Sequence, residues 1–332
     1  MRKKINIWTF TCTGTPIMIR FGLCCIFKEE PITFGRATAG FLLKFPPTEQ
    51  RERLSRICLA NAQSLFKALE FCRQNGIGCF RINSQILPLK THPDVGYDLS
   101  DLPDAEAIME TFKACGRFGR DHDIRTTFHP DQFIVLSSPH PDVVARSIAD
   151  LKYQAEVAEW VNADAINIHA GGAYGDKASA LKRLQATIER LPDPVRKRLT
   201  LENDDKSYSP RDLLPVCEDM QIPLTYDVHH HRCLKDGLTL EEATLQAAAT
   251  WNREPLFHLS SPEKGRESGT PRNHHDYIDI RDVPMLWLSM DITVEVEAKA
   301  KELAVLKLMR ELKPFGTGVV RPVENIETVL QA

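Results

Sequence analysis

Six short apolar runs in this chain each end at a side chain able to bind a metal ion. Ile124–Phe128 leads into His129, Ala165–Ile168 into His169, Leu199–Leu201 into Glu202, Pro223–Tyr226 into Asp227, Leu256–Phe257 into His258, and Ile292–Val296 into Glu297. His230 follows Asp227 closely, and His274 or His275 stands in the segment after the His258 run. Mixed imidazole and carboxylate donors without a thiolate suit Zn²⁺, Mn²⁺ or Fe²⁺. The set is too large for one ion, and two or three ions sharing bridging carboxylates fit it better. Ions so arranged activate a water and stabilise both the entering and the leaving oxygen of a phosphodiester. A lone strand-end histidine is more often a hydrogen-bonded structural residue. Glu202 weighs more, because a carboxylate ending a doubly buried strand is costly unless paired or bound to a cation.

The elements that must position these residues follow from the same runs. Two further strand candidates, Ile19–Cys25 and Gly78–Asn83, precede the six. Helix-like stretches with apolar residues at 3.6-type spacing separate them. In 48–74 the stripe is Leu54, Ile57, Cys58, Leu65, Leu69 and Cys72, and Asn75-Gly76 supplies the stop. Further helices are expected over 104–120, 141–161, 176–191, 209–220, 240–251, 276–290 and 299–312, with Asp142, Ser209 and Thr239 as N-cap or first-turn residues. Strand–helix alternation repeated eight times predicts a closed (β/α)8 barrel of α/β class, a TIM barrel, with an open doubly wound sheet as the alternative. The C-terminal strand ends of such a barrel converge on one mouth, where active sites are built.

The chain of 332 residues is 42% hydrophobic, which suits one large α/β domain. We expect residues 18–314 to form it, with 1–17 as an N-terminal extension and 315–332 as a C-terminal tail. The net charge of -3 gives no global nucleic-acid signature, although basic patches can be local. Nine scattered cysteines with no C-x-x-C pair argue for reduced thiols and a cytoplasmic location, nucleoid-associated if the source is bacterial. No apolar run approaches membrane-spanning length. The run His169-Ala170-Gly171-Gly172-Ala173-Tyr174-Gly175 matches neither phosphate-loop pattern and reads equally well as a tight turn beneath a ligand. No motif supports a Ser or Cys nucleophile.

Several of these segments together resemble the UV damage endonuclease family. They are Phe21-Gly22-Leu23-Cys24-Cys25, Arg81-Ile82-Asn83-Ser84, His129-Pro130-Asp131-Gln132-Phe133, His169 to Gly175, Leu201-Glu202-Asn203-Asp204-Asp205, Asp227-x-His229-His230 and Glu297-Ala298-Lys299-Ala300-Lys301-Glu302, in order over roughly residues 18–312. The resemblance implies an endonuclease IV-like barrel with a multinuclear site, usually Mn²⁺, with Zn²⁺ and Mg²⁺ as alternatives. It implies nicking of damaged double-stranded DNA 5′ to UV photoproducts and some other lesions, with no membrane and no obligate protein partner. Carried over by motif, His129, His169 and Glu202 would hold one ion. Glu202, Asp227, His258 and Glu297 would hold a second, and His230 and His274 would serve a third. Gln132 and Phe133 would meet the lesion, an amide and a ring filling the gap left by bases turned out of the stack. His274 is preferred to His275 because the family's histidine lies two residues before an Asp, as Asp276 does here.

This chain departs from the pattern in three places. Leu256 stands where the family often has a Lys near the third metal, Phe133 lacks the hydroxyl of a Tyr found in some members, and Val294-Glu295-Val296-Glu297 offers Glu295 as a rival to Glu297. Lys90, Arg81, Lys177, Lys206, Arg232, Lys235, Lys264, Arg266 and Arg272 fall in expected strand-end loops and would make a basic mouth for phosphates. Two other functions remain open at this level. A sugar isomerase or epimerase of the xylose-isomerase-like class uses similar strand-end residues, and a damaged-DNA-binding protein with a degenerate metal site would bind without cutting.

Overall fold

The computed structural model describes residues 19–265 and 272–315. The expected extension 1–17, Arg266 and nearly all of the expected tail lie outside the described residues. Eight parallel strands close into a barrel in chain order: β1 (Ile19–Cys24), β2 (Cys79–Ile82), β3 (Arg125–Phe128), β4 (Ala165–His169), β5 (Leu199–Glu202), β6 (Leu224–Asp227), β7 (Leu256–Leu259) and β8 (Ile292–Val296). β8 pairs back onto β1 from Ile19↔Ile292 to Leu23↔Val296. The helices are α1 (Ala39–Leu42), α2 (Pro47–Asn75), α3 (Ala105–Asp121), α4 (Pro141–Val161), α5 (Lys177–Ile188), α6 (Asp193–Arg196), α7 (Pro210–Met220), α8 (Val228–Cys233), α9 (Leu240–Ala249) and α10 (Glu302–Leu312). The expected (β/α)8 architecture is the observed one. Among the described residues no helix is long and apolar enough to cross a membrane.

Local chemistry explains the principal boundaries. On α2, Leu54, Cys58, Leu65, Leu69 and Cys72 are fully buried and Ile57 is half-buried. The helix ends where Gly76 takes a φ of 69° and its N–H donates to the Cys72 and Arg73 carbonyls, a left-handed cap that glycine adopts without penalty. Ser209 with Asp212 and Thr239 with Glu242 form capping boxes at α7 and α9. Asp142 lies in the first turn of α4, where its charge complements the helix dipole.

The helix expected over 276–290 is replaced by two short 3₁₀ turns, Ile280–Asp282 and Met285–Ser289. Pro284 lies between them, and its missing N–H and its ring oppose a continuous α-helix there. The seventh crossover is therefore a compact loop with Trp287 fully buried, its indole N–H donating to Thr244 Oγ1 at 3.0 Å.

The end of the barrel opposite the ligands is closed by ion pairs. Arg20 meets Glu254 at 2.9 Å, and Asp164 accepts from Arg125 at 2.9 Å and Arg253 at 3.0 Å. Leu256 packs here with Ala165 and Trp251. It begins β7 at the far end from the mouth, two residues below His258.

Candidate active site

His129, His169, Glu202, Asp227, His258 and Glu297 each sit at or near the C-terminal end of a strand, His230 on α8 and His274 in the loop after β7. His169 and Glu202 are in register across β4 and β5, and Asp227 and His258 across β6 and β7. Asp227 also caps α8, its Oδ1 accepting from His230 N–H at 2.7 Å, so the helix begins at once and returns His230 to the mouth one turn later. Beneath His169 the chain turns at Gly171, with φ of 87°. A Cβ there would stand 2.5 Å from Ser137 Oγ, so the glycine permits the loops after β3 and β4 to close on each other. The tight-turn reading of this glycine run fits its geometry.

Glu202, 1% exposed, is the hub. Its Oε2 is 2.8 Å from His129 Nε2 and 4.0 Å from His169 Nε2, and its Oε1 is 3.2 Å from His258 Nδ1 and 3.3 Å from His230 Nδ1. Three overlapping groups have donor atoms within 4.8 Å of one another and could hold a metal ion: His129, His169 and Glu202; His129, His258 and Glu297; and Glu202, Asp227 and His230. His274 Nδ1 lies 3.8 Å from Glu297 Oε2, whereas His275 Nδ1 is taken up at 3.0 Å by the Tyr277 backbone N–H. All eight carried-over ligand candidates thus converge on one mouth. Of the other two histidines of the 229–231 run, neither faces solvent. His231 is held by Tyr226 and Asp236, and His229 packs edge-on against His274.

Burial alone would raise the Glu202 carboxyl, but His258, His169 and His129 outweigh it and hold the group well below the carboxylate range. Burial likewise works to raise Glu297, and Arg81 and His258 hold it well below. Burial depresses His258, yet Glu202 and Glu297 lift it well above an ordinary imidazole, and Asp227 with Glu202 does the same for His230. Burial prevails at His169 and lowers it. The mouth therefore gathers buried carboxylates around two imidazoles whose titration they shift upward. Asp227 Oδ2, His169 Nδ1, both ring nitrogens of His258 and Glu295 Oε2 are buried without an aligned hydrogen-bond partner among the described residues, although His258 Nδ1 lies within ion-pair distance of Glu202 and its Nε2 within that of Glu295. Orphaned lone pairs beside clustered carboxylates are what divalent cations satisfy, so the residues present fit the implied metal. Burial raises the Cys24 and Cys25 thiols, which keeps them protonated and away from ligand chemistry.

Sequence reasoning missed several supporting residues. Asn167 Nδ2 donates to Glu202 Oε2 at 2.5 Å, Thr200 Oγ1 donates to Asn167 Oδ1 at 2.9 Å, and Thr225 Oγ1 donates to Thr200 at 3.0 Å. Asn167 shares the inward parity of His169 two residues on, and that polar residue on an otherwise apolar strand was the available signal. Both Glu295 and Glu297 point inward: Glu297 belongs to a ligand group, while Glu295 lies deeper, 3.1 Å from His258 Nε2. Arg81 does not face phosphate. It is buried inside the barrel, 2.7 Å from Glu297 and 3.3 Å from Glu295. Lys90, Lys177, Arg232 and Arg272 are each paired to a carboxylate, leaving Lys206, Lys235 and Lys264 exposed without an ion pair among the described residues. Gln132 and Phe133 are exposed on the loop after β3, Phe133 at 74%.

The family described as UV-endonuclease UvdE matches residues 19–326. A UV DNA damage endonuclease of Bacillus velezensis is 34% identical over 316 residues, covering 89% of this chain and 94% of that protein. The crystal structure of SacUVDE superposes with a TM-score of 0.81 at 27% identity, covering 90% of this chain and 99% of that one. Endonuclease IV from Thermus thermophilus, at 15% identity and a TM-score of 0.58, shares the fold and covers 89% of this chain and 98% of its own.

Proposed function

The chain belongs to the UV-endonuclease UvdE family, and on that premise we propose that it is a metal-dependent DNA-repair endonuclease that nicks damaged duplex DNA on the 5′ side of UV photoproducts. The observation that carries the reading is the meeting of three potential ligand groups around Glu202 at the barrel mouth. His129, His169, Glu202, Asp227, His230, His258, His274 and Glu297 would hold two or three divalent ions, with Mn²⁺ as the native metal. Bound there, the ions would supply an activated water and neutralise charge at the entering and leaving oxygens of the phosphodiester.

The chain's own residues do the rest. Glu202 brings the histidines of three strand ends and His230 of α8 to one point, and the Asn167 hydrogen bond fixes which of its oxygens faces His129. Gln132 and Phe133 stand on the adjoining loop, where an exposed ring can occupy the space vacated by displaced bases. Exposed Lys206, Lys235 and Lys264 would track the backbone phosphates. The eight described cysteines are free thiols, which suits a reducing cytoplasm. Family membership sets the sugar-isomerase alternative aside. The test is incubation of UV-irradiated plasmid with the protein and Mn²⁺. Nicking that requires irradiation and is abolished by a chelator supports the reading, and nicking indifferent to either refutes it.

A further inference from the structure

Glu295 of β8 and Glu297 just past its end bracket one imidazole. Glu295 is in register with His258 across the β7–β8 ladder and is 1% exposed, beneath the mouth. Its Oε2 lies 3.1 Å from His258 Nε2, a close approach that is not aligned as a hydrogen bond as the ring now stands. The other ring nitrogen, Nδ1, lies 3.2 Å from Glu202 Oε1 and 3.5 Å from Glu297 Oε1. The ring thus has a carboxylate of the interior on one side and the ligand cluster on the other. Glu295 belongs to none of the groups that could hold a metal.

Its own position is tightly set. The Thr127 hydroxyl donates to Oε1, and Arg81 Nη1 stands 3.3 Å from Oε2 while reaching Glu297 Oε1 at 2.7 Å. Gly22 is in register on the β1 side, and a Cβ there would come within 3.1 Å of Glu295 Cγ. The sequence therefore reserves space for this carboxylate inside the barrel. Burying it is costly unless it is paired, and Arg81 offsets part of its charge while shared with Glu297, so the carboxylates of the site outnumber the one guanidinium among them.

We propose that Glu295 is a positioning residue for His258: it takes the Nε2–H of the imidazole, fixes the tautomer, and turns the Nδ1 lone pair toward the metal cluster. The inference rests on reading the mouth as a metal site. A neutral imidazole carries one N–H, and a carboxylate at Nε2 keeps it there, so Nδ1 is free to act as ligand. Without that partner either nitrogen can carry the proton and the ring can turn. Arg81, by gripping both glutamates, holds the two carboxylates at the separation the ring needs.

The test uses the full chain loaded with Zn²⁺, a diamagnetic probe. Proton–nitrogen correlation spectra of ¹⁵N-histidine-labelled protein should show His258 with Nε2 protonated and Nδ1 bound to zinc, the signal being assigned by its loss in His258→Gln. In competition with a chromophoric chelator, Glu295→Ala should weaken Zn²⁺ binding about 10–100-fold. Glu295→Gln, whose carbonyl can accept the same hydrogen bond, should recover most of that loss. Zinc bound through Nε2, or wild-type affinity in Glu295→Ala, overturns the proposal and leaves the endonuclease reading standing. A wild-type protein that takes up no Zn²⁺ overturns both. If Glu295→Ala does not fold, the wild-type spectrum decides.

Discussion

Replacing Glu202 with Gln keeps the shape of the hub and removes its charge. The amide oxygen can still accept from Asn167, so the barrel should fold as before. The lost charge is shared by two of the three potential ligand groups and is approached by four histidines within 4.0 Å. Losing it should weaken Mn²⁺ binding on the order of 100-fold or more, above the range seen when only a ligand's hydrogen-bond partner is removed. At a free metal concentration a hundredfold above the wild-type Kd, bound metal stabilises the fold by about 2.7 kcal/mol. That corresponds to roughly 5 °C in Tm for a domain of this size. In the variant the same metal concentration only equals Kd, and the gain shrinks to about 0.4 kcal/mol, under roughly 1 °C. Nicking of UV-irradiated duplex should fall by about 10²–10³, as when a preorganised electrostatic element is removed. Differential scanning fluorimetry with and without Mn²⁺, run beside the nicking assay and circular dichroism, measures all three. A Glu202→Gln protein with the full metal-dependent Tm shift, or with wild-type nicking, refutes the reasoning that makes Glu202 the hub.

Further outcomes follow from other parts of the site. Asn167→Ala removes a hydrogen bond to a buried carboxylate and strands the Thr200 hydroxyl, so it should cost about 2–4 kcal/mol in urea denaturation. In chelator, His258 and His230 titrate well above 6.5 in the folded protein. Groups raised in this way lend stability that is complete below the unfolded value near 6.5 and is lost as pH climbs through the folded value. The Tm of metal-free protein should therefore fall with rising pH in that alkaline window, a fall that saturating Mn²⁺ should suppress. Metal uptake near neutral pH should release protons, detectable with a pH indicator. Phe133→Ala should change stability by less than about 0.5 kcal/mol, because the ring is largely exposed. It should weaken binding of damaged duplex by about 1–3 kcal/mol, read as a raised KM.

The parts of this molecule legible in the sequence were those fixed by periodicity along a single segment. Strand ends carrying His129, His169, Glu202, Asp227, His258 and Glu297 stood out because buried parallel strands are nearly all apolar, so a charged or imidazole residue at their ends is conspicuous. The barrel followed from counting such units. What sequence could not give were relations between segments. Arg81 looked like a loop cation because its strand is short. Its burial is decided by Glu295 and Glu297, which lie far away in the chain and adjacent in the barrel. The basic mouth is thinner than expected for the same reason: Asp205, Asp212 and Asp98 pair with Arg272, Lys177 and Lys90 across loops, and Lys206, Lys235 and Lys264 stay exposed. Between Glu295 and Glu297, equal parity left the choice open, and only depth in the barrel separates them. The expected helix over 276–290 gave too much weight to apolar spacing and too little to Pro284.

The pairing of β8 with β1 has a consequence in time. That ladder joins opposite ends of the described chain, and the same strand leads directly into Glu297. Until it zips, His129 and His258 lack Glu297, and Arg81 has neither glutamate to grip. The most non-local pairing in a fold is generally among the last to form, since loop-closure entropy must be met first. A ribosome-bound chain short of β8 therefore carries most of the ligands without a finished centre. Nuclease competence becomes a late checkpoint in the life of the polypeptide, reached only when β8 has met β1.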